Sequence, residues 1–132
     1  MKLITKRADY AIRALCVMSK DGQRTFSAFE LARDLKIPGP FLRRILQILN
    51  KRGILKSYRG QGGGFILALS PKKIFLIDLI EVFQGPIKLN ECLFKAKICP
   101  SVNSCILKRK VDGIEKFVVS ALSSINIGSL SN

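Results

Sequence analysis

The chain has 132 residues, enough for one domain, or one compact domain with an appended helix, that buries a real core. Hydrophobic content of 48% excludes a disordered tail, and 23 Lys and Arg against 9 Asp and Glu leave a formal net charge of +14. That charge points to a polyanionic partner, DNA or RNA first and an anionic membrane surface second. There is no histidine, so Ser-His-Asp and Cys-His catalysis and every histidine-containing metal site fall away. Without a positioned acid and base or an activated nucleophile, no enzyme is expected. Residues 1–18 carry Lys2, Lys6, Arg7, Asp9 and Arg13 and offer no apolar stretch of signal-peptide type. No segment has the length of a membrane span. A cytoplasmic protein is therefore expected, and cysteines there seldom form structural disulfides.

In chain order, Thr5 is a usable N-cap for a first helix running to about Ser19, with Ala8, Ala11, Ile12, Leu15 and Cys16 at helical spacing. Cys16 on that stripe reads as a small buried hydrophobe. Asp21-Gly22 marks a turn. A second, short helix follows, because Ser27 and Glu30 have capping-box spacing and Phe26 and Leu31 have staple spacing; it is expected to end near Lys36. Pro38-Gly39-Pro40 is expected to be the turn into a third helix. Over residues 41–51 of that helix, Phe41, Leu42, Ile45, Leu46, Ile48 and Leu49 fall on one side and Arg43, Arg44, Gln47, Asn50 and Lys51 on the other. Gly53 supplies its stop.

Two β-prone runs, residues 54–58 and 65–69, flank Arg59-Gly60-Gln61-Gly62-Gly63-Gly64 and read as a hairpin with a flexible tip. A helix, a tight turn, a basic helix and a hairpin with an arginine at its tip are the layout of a winged helix-turn-helix, a mainly α fold with a small β-hairpin wing. Residues 36–73 hold nine Lys or Arg and no Asp or Glu, which suits phosphate. A charged helix face is usually no more than a solvated face, and a glycine-rich loop no more than a turn; here it is the conjunction of helix, stop, hairpin and uninterrupted charge that argues for double-stranded DNA. Arg43, Arg44 and Gln47 are the candidates for base contacts, with Lys51, Lys56 and Arg59 meeting phosphate or the minor groove and Gly62 and Gly63 in the wing beside them.

After the hairpin, residues 70–73 break the pattern, and Leu76, Leu79, Ile80 and Phe83 mark a short helix closed by Gly85-Pro86. Residues 92–105 form a loop of mixed polarity containing Cys92, Cys99 and Cys105, separated by six and five residues. Thiols so clustered suit a soft metal or an iron–sulfur cluster; the spacing lacks the C-x2-C pairs of zinc sites, and a redox disulfide would leave one cysteine unpaired. From there Leu107, Val111, Ile114, Val118, Ala121 and Ile125 follow a heptad seam. With Phe117 and Leu122 off that seam, the helix has more apolar surface than one contact face needs, so it is expected to pack on its own domain and on a partner copy as a symmetric dimer. Residues 126–132 are expected to fray. The organisation is thus a DNA-binding domain over residues 1–84, a cysteine-rich loop over 85–105 and a dimerisation helix with its tail over 106–132.

The segment TKRADYAIRAL at residues 5–15, the wing RGQGGGF at 59–65 and the three-cysteine loop ahead of a C-terminal helix together resemble the Rrf-two family of winged-helix transcription regulators, and the cysteine triplet resembles its cluster-binding branch. The resemblance covers nearly the whole chain. It implies a homodimeric repressor on a palindromic operator. Its DNA affinity would be set by a [2Fe-2S] or [4Fe-4S] cluster that senses iron, oxygen or nitric oxide. The ligands it implies are Cys92, Cys99 and Cys105, with Asp9 from the partner chain as the fourth and Glu91 as the fallback. An acid in the first turn of a helix is also favoured by the helix dipole alone. The first gap, of six residues, is one wider than is common in that branch. Two other readings remain at this stage, a cluster-free thiol- or metabolite-responsive regulator of the same fold and a basic RNA-binding module.

Overall fold

Thr5 ends the N-terminal arm and starts the first helix. In the computed structural model, which describes residues 2–89 and 106–131, its hydroxyl accepts the Ala8 N–H at 3.3 Å and α1 runs Lys6–Ser19. The cap satisfies one of the donors a helix start leaves unpaired. α2 (Ala28–Leu35) and α3 (Gly39–Lys51) follow, then the antiparallel strands β1 (Leu55–Tyr58) and β2 (Gly64–Leu67), a 3-10 turn at Pro71–Lys73, α4 (Leu76–Gln84), α5 (Ile106–Ser123) and α6 (Ile127–Leu130). This is the mainly helical architecture with a two-stranded wing that the sequence predicts.

α1 is the hub, packed by α2, α3, α4, α6 and β2. Ala8, Ala11, Ala14, Leu15 and Met18 are buried, while Ile12 and Cys16 sit half-buried at the margin. The buried side is thus turned from the expected stripe, because three alanines let neighbours close in where bulkier residues would hold them off. Burial pushes the Cys16 thiol up, with Lys20 partly opposing it, as suits a thiol that packs rather than reacts.

The main core gathers Leu15, Leu31, Leu42, Leu46, Leu49 and Leu79 around α1. A smaller core joins Leu76, Ile77 and Ile80 of α4 to Leu122 of α5, with Val118, Val119 and Ile125 packed against it. Gln84, at the end of α4, ties down the N-terminal arm: the Thr5 N–H donates to its Oε1 at 3.0 Å, and its Nε2 donates to the Leu3 carbonyl at 3.1 Å.

Three expectations are corrected. The turn before α3 ends at Pro38, and Gly39-Pro40 already form its first turn. A proline at that point removes only an N–H that the helix would leave unpaired, and its fixed φ is already helical. Second, α5 stops at Ser123, so Ile125 is not on the helix; its carbonyl instead accepts the Leu76 N–H at 2.9 Å, beside a bridge between Phe75 and Asn126. The residue that seats α5 on α4 is Leu122, only 7% exposed, which the heptad seam leaves out. Third, the tail does not fray. Asn126 caps α6 by accepting the Ser129 N–H at 2.9 Å, the Ile127 N–H donates to the Ile74 carbonyl at 2.9 Å, and Ile127 is fully buried in the main core. A four-residue helix cannot hold itself, so this packing holds it.

Candidate nucleic-acid interface

The candidate interface is formed by α2, α3 and the wing. Ser27 caps α2 by accepting the Glu30 N–H at 3.0 Å, but the Glu30 carboxylate pairs with Arg24, so only half of the expected capping box forms. Phe26, just before the cap, exchanges two backbone hydrogen bonds with Phe65 of β2 at 2.8 and 2.7 Å. That bridge joins the start of α2 to the wing by main-chain hydrogen bonds. α2 ends at Lys36 in the left-handed region, and the Ile37 N–H returns to the Ala32 carbonyl at 3.0 Å. The chain is thereby turned sharply into α3.

Within α3, Leu42, Ile45, Leu46 and Leu49 are buried, and Arg43, Arg44, Gln47 and Lys51 are exposed. Phe41, expected on the buried side, is partly exposed and packs edge-on against the Tyr10 ring at 5.5 Å. Gly53, at φ 79°, ends the helix as expected and leads into β1. Lys56 and Arg59 are exposed, and among the described residues none of Arg43, Arg44, Lys51, Lys56 and Arg59 forms an ion pair. Cations held on a rigid scaffold and left uncompensated create the potential that attracts a phosphate backbone.

The wing glycines have a backbone reason to be glycine. A Cβ at Gly64, whose φ is +147°, would lie 2.3 Å from the Phe26 carbonyl oxygen, the acceptor in the bridge to α2. A Cβ at Gly63 would lie 2.3 Å from the Tyr58 carbonyl oxygen. The Gly63 N–H closes the tip onto the Gly60 carbonyl at 2.9 Å. The tip is therefore a hydrogen-bonded turn that carries Arg59.

Asp9 lies apart from this face, in the first turn of α1, where its carboxylate meets Arg13 at 3.0 Å on an exposed surface. Cys92, Cys99, Cys105 and Glu91 lie outside the described residues. On α5, Leu107, Ile114, Phe117 and Ala121 are exposed, Val111 and Val118 are half-buried, and the Leu89 N–H donates to Glu115 at 3.0 Å.

Phe29 escapes the sequence reading. It is 74% exposed at the start of α2, and with Ala28, Gly39, Pro40 and Arg43 it lines a hollow of about 290 Å³ between the two helix starts. A helical wheel could have found it, since the buried side of α2 is Ala28, Leu31 and Ala32 and Phe29 lies off it.

A helix-turn-helix whose second helix carries an exposed basic face, with a wing tied to the first helix, defines a winged-helix DNA-binding regulator. The model of the Rrf2 family, described as an iron-dependent transcriptional regulator, matches residues 4–132, and the chain belongs to that family. It is 34% identical over 125 residues to an HTH-type transcriptional regulator of Aquifex aeolicus (strain VF5), covering 93% of this chain and 87% of that one. It is 31% identical to the HTH-type transcriptional regulator CymR of Bacillus subtilis (strain 168), covering 70% of this chain and 67% of that one. Among solved structures, that of T. potens IscR superposes with a TM-score of 0.76 at 24% identity, covering 98% of this chain and 85% of that one. Family and relatives are transcriptional regulators, not enzymes, and among the described residues no helix is long and apolar enough to cross a membrane.

Proposed function

We propose that this protein is a cytoplasmic, homodimeric transcriptional repressor whose affinity for a palindromic operator is set by an iron–sulfur cluster. The observation that carries the DNA half is the uncompensated basic outer face of α3 beside a wing anchored to α2. Arg43, Arg44 and Gln47 read base edges in the major groove; Lys51, Lys56 and Arg59, with Gly62 and Gly63 of the wing beside them, hold the backbone or minor groove. The dimer half rests on α5. Leu107, Ile114, Phe117 and Ala121 lie on one side at spacings of seven, three and four residues, and Phe117 is 75% exposed. Val111 and Val118 border that side, Val118 and Ile125 being also packed against α4. A second copy meeting this face fixes the distance between two α3 helices, as a dyad-symmetric site requires.

The cluster half rests on the family description as iron-dependent and on the residues available. Cys92, Cys99 and Cys105 would supply thiolates, and Asp9 of the partner subunit the fourth ligand. The fit at Asp9 is favourable: its carboxylate is reachable, and the Arg13 contact it would give up is a surface pair worth about 0–1 kcal/mol. When bound, the cluster, [2Fe-2S] or [4Fe-4S], supplies an iron that oxygen, nitric oxide or a chelator can reach. Cys105 directly precedes Ile106, the first residue of α5, so whatever holds that thiolate also bears on the dimer helix.

Similarity to CymR supports a second reading, a thiol- or metabolite-responsive regulator without a cluster. Anaerobic reconstitution with iron and sulfide, followed by absorbance and iron and sulfide analysis, separates the two. A brown protein whose operator affinity differs between cluster-loaded and cluster-free forms bears out the first reading. A colourless protein that binds its operator unchanged leaves the second.

A further inference from the structure

Phe29 stands on the same rim as Arg43, and its exposure has no internal explanation. Its neighbours in the hollow are Ala28, Gly39 and Pro40, which offer carbon surface, and Arg43 is the one cation among them. Phe29 precedes Glu30, whose carboxylate is occupied by Arg24, so no acid is free at that edge to turn a polyanion away. Gly39 and Pro40 have no side chain that could donate to a base, so what these two residues add beside their backbone is shape and apolar contact. Thymine is the base that offers an apolar group, its C5-methyl, in the major groove.

We propose that Phe29, with Gly39 and Pro40, forms an apolar seat for the C5-methyl edge of one thymine in the operator, next to the base that Arg43 reads. The reading rests on α3 being the groove-reading helix and deepens it by adding a specificity-determining residue from α2. The hollow, at about 290 Å³, is far larger than a methyl group, so it takes the edge of a nucleotide with the methyl turned inward. Arg43 lines the same hollow, which places the thymine and the Arg43-read base close together in each half-site. The bridge from Phe26 to Phe65 locks the start of α2 to the wing, so Phe29 is presented on a rigid element, as a sequence-reading contact requires.

The test uses the full chain and an operator enriched from random duplexes. Each thymine of one half-site is replaced in turn by deoxyuridine, which removes only the methyl, and affinity is measured by fluorescence anisotropy for the wild type, Phe29→Ala, Phe29→Leu and Arg43→Ala. The wild type should lose about three- to tenfold at one thymine. Phe29→Ala should show the same loss on the unmodified operator and none further at that thymine, while Phe29→Leu keeps part of the sensitivity. Arg43→Ala should bind more weakly yet still respond to the methyl. A wild type indifferent to every replacement, or a Phe29→Ala variant as sensitive as the wild type, overturns the seat while an Arg43 effect leaves the groove-reading role of α3 standing. If no duplex is enriched, the groove-reading role falls and the seat with it.

Discussion

α3 and α5 are both amphipathic helices, of 13 and 18 residues, yet they end in opposite situations. On α3, Leu42, Ile45, Leu46 and Leu49 are all buried within the chain, and the exposed side is polar apart from Phe41, which packs on Tyr10. On α5, Leu122 is buried and Ile106, Leu107, Ile114 and Phe117 are exposed. The first helix is finished by its own chain; the second is seated at one point and presents apolar surface beyond it. Charge on a finished helix is free to serve recognition, whereas apolar residues left in water serve association.

The sharpest way to break the contrast is through the buried residues. Leu46→Ala should cost about 2–5 kcal/mol of stability by denaturant titration, because a fully enclosed side chain leaves a cavity. Phe117→Ala, removing a larger side chain from the exposed face, should leave monomer stability within about 0.5 kcal/mol. Phe117→Asp should instead convert the dimer to monomer in analytical ultracentrifugation with helical content unchanged. Gly64→Ala should cost about 1–3 kcal/mol, seen as a lowered Tm, since the added carbon meets the Phe26 carbonyl in the wing bridge. On the polar side, Arg43→Ala should weaken operator binding by about 1–3 kcal/mol and relax one position, whereas Lys51→Ala should weaken all duplexes alike and flatten the salt dependence. Arg13→Ala should alter the stability of the cluster-free protein by no more than about 1 kcal/mol, because its pair with Asp9 lies at the surface.

The same contrast explains what could be read from the sequence. The helix-turn-helix and wing were legible because caps, stops and periodicity are local: Thr5, Ser27, Gly53 and the glycine tip each announce themselves within a few residues. Ile125 and the tail were misread because their fate depends on α4 and on the main core, which meet the tail's Ile127 only after the chain folds. A heptad count cannot tell that the chain leaves the helix at Ser123, nor that Leu122 is the residue α4 accepts. Phe29 was missed for a related reason. Its meaning lies in sharing a hollow with Gly39, Pro40 and Arg43, a neighbourhood made by the turn between α2 and α3. Arg43, Arg44, Gln47 and Lys51 were legible because a regular helix sends them all to the side opposite its leucines.

Paired α5 helices that hold two copies of α3 at a fixed spacing are tested most directly by the stoichiometry and affinity of the protein on duplexes carrying one or both halves of its selected operator, with complex mass read by light scattering. Two chains per full site, bound at least tenfold more tightly than either half-site alone and reduced to half-site affinity by Phe117→Asp, is the predicted result. One chain per duplex, with equal affinity for full and half sites, would contradict it.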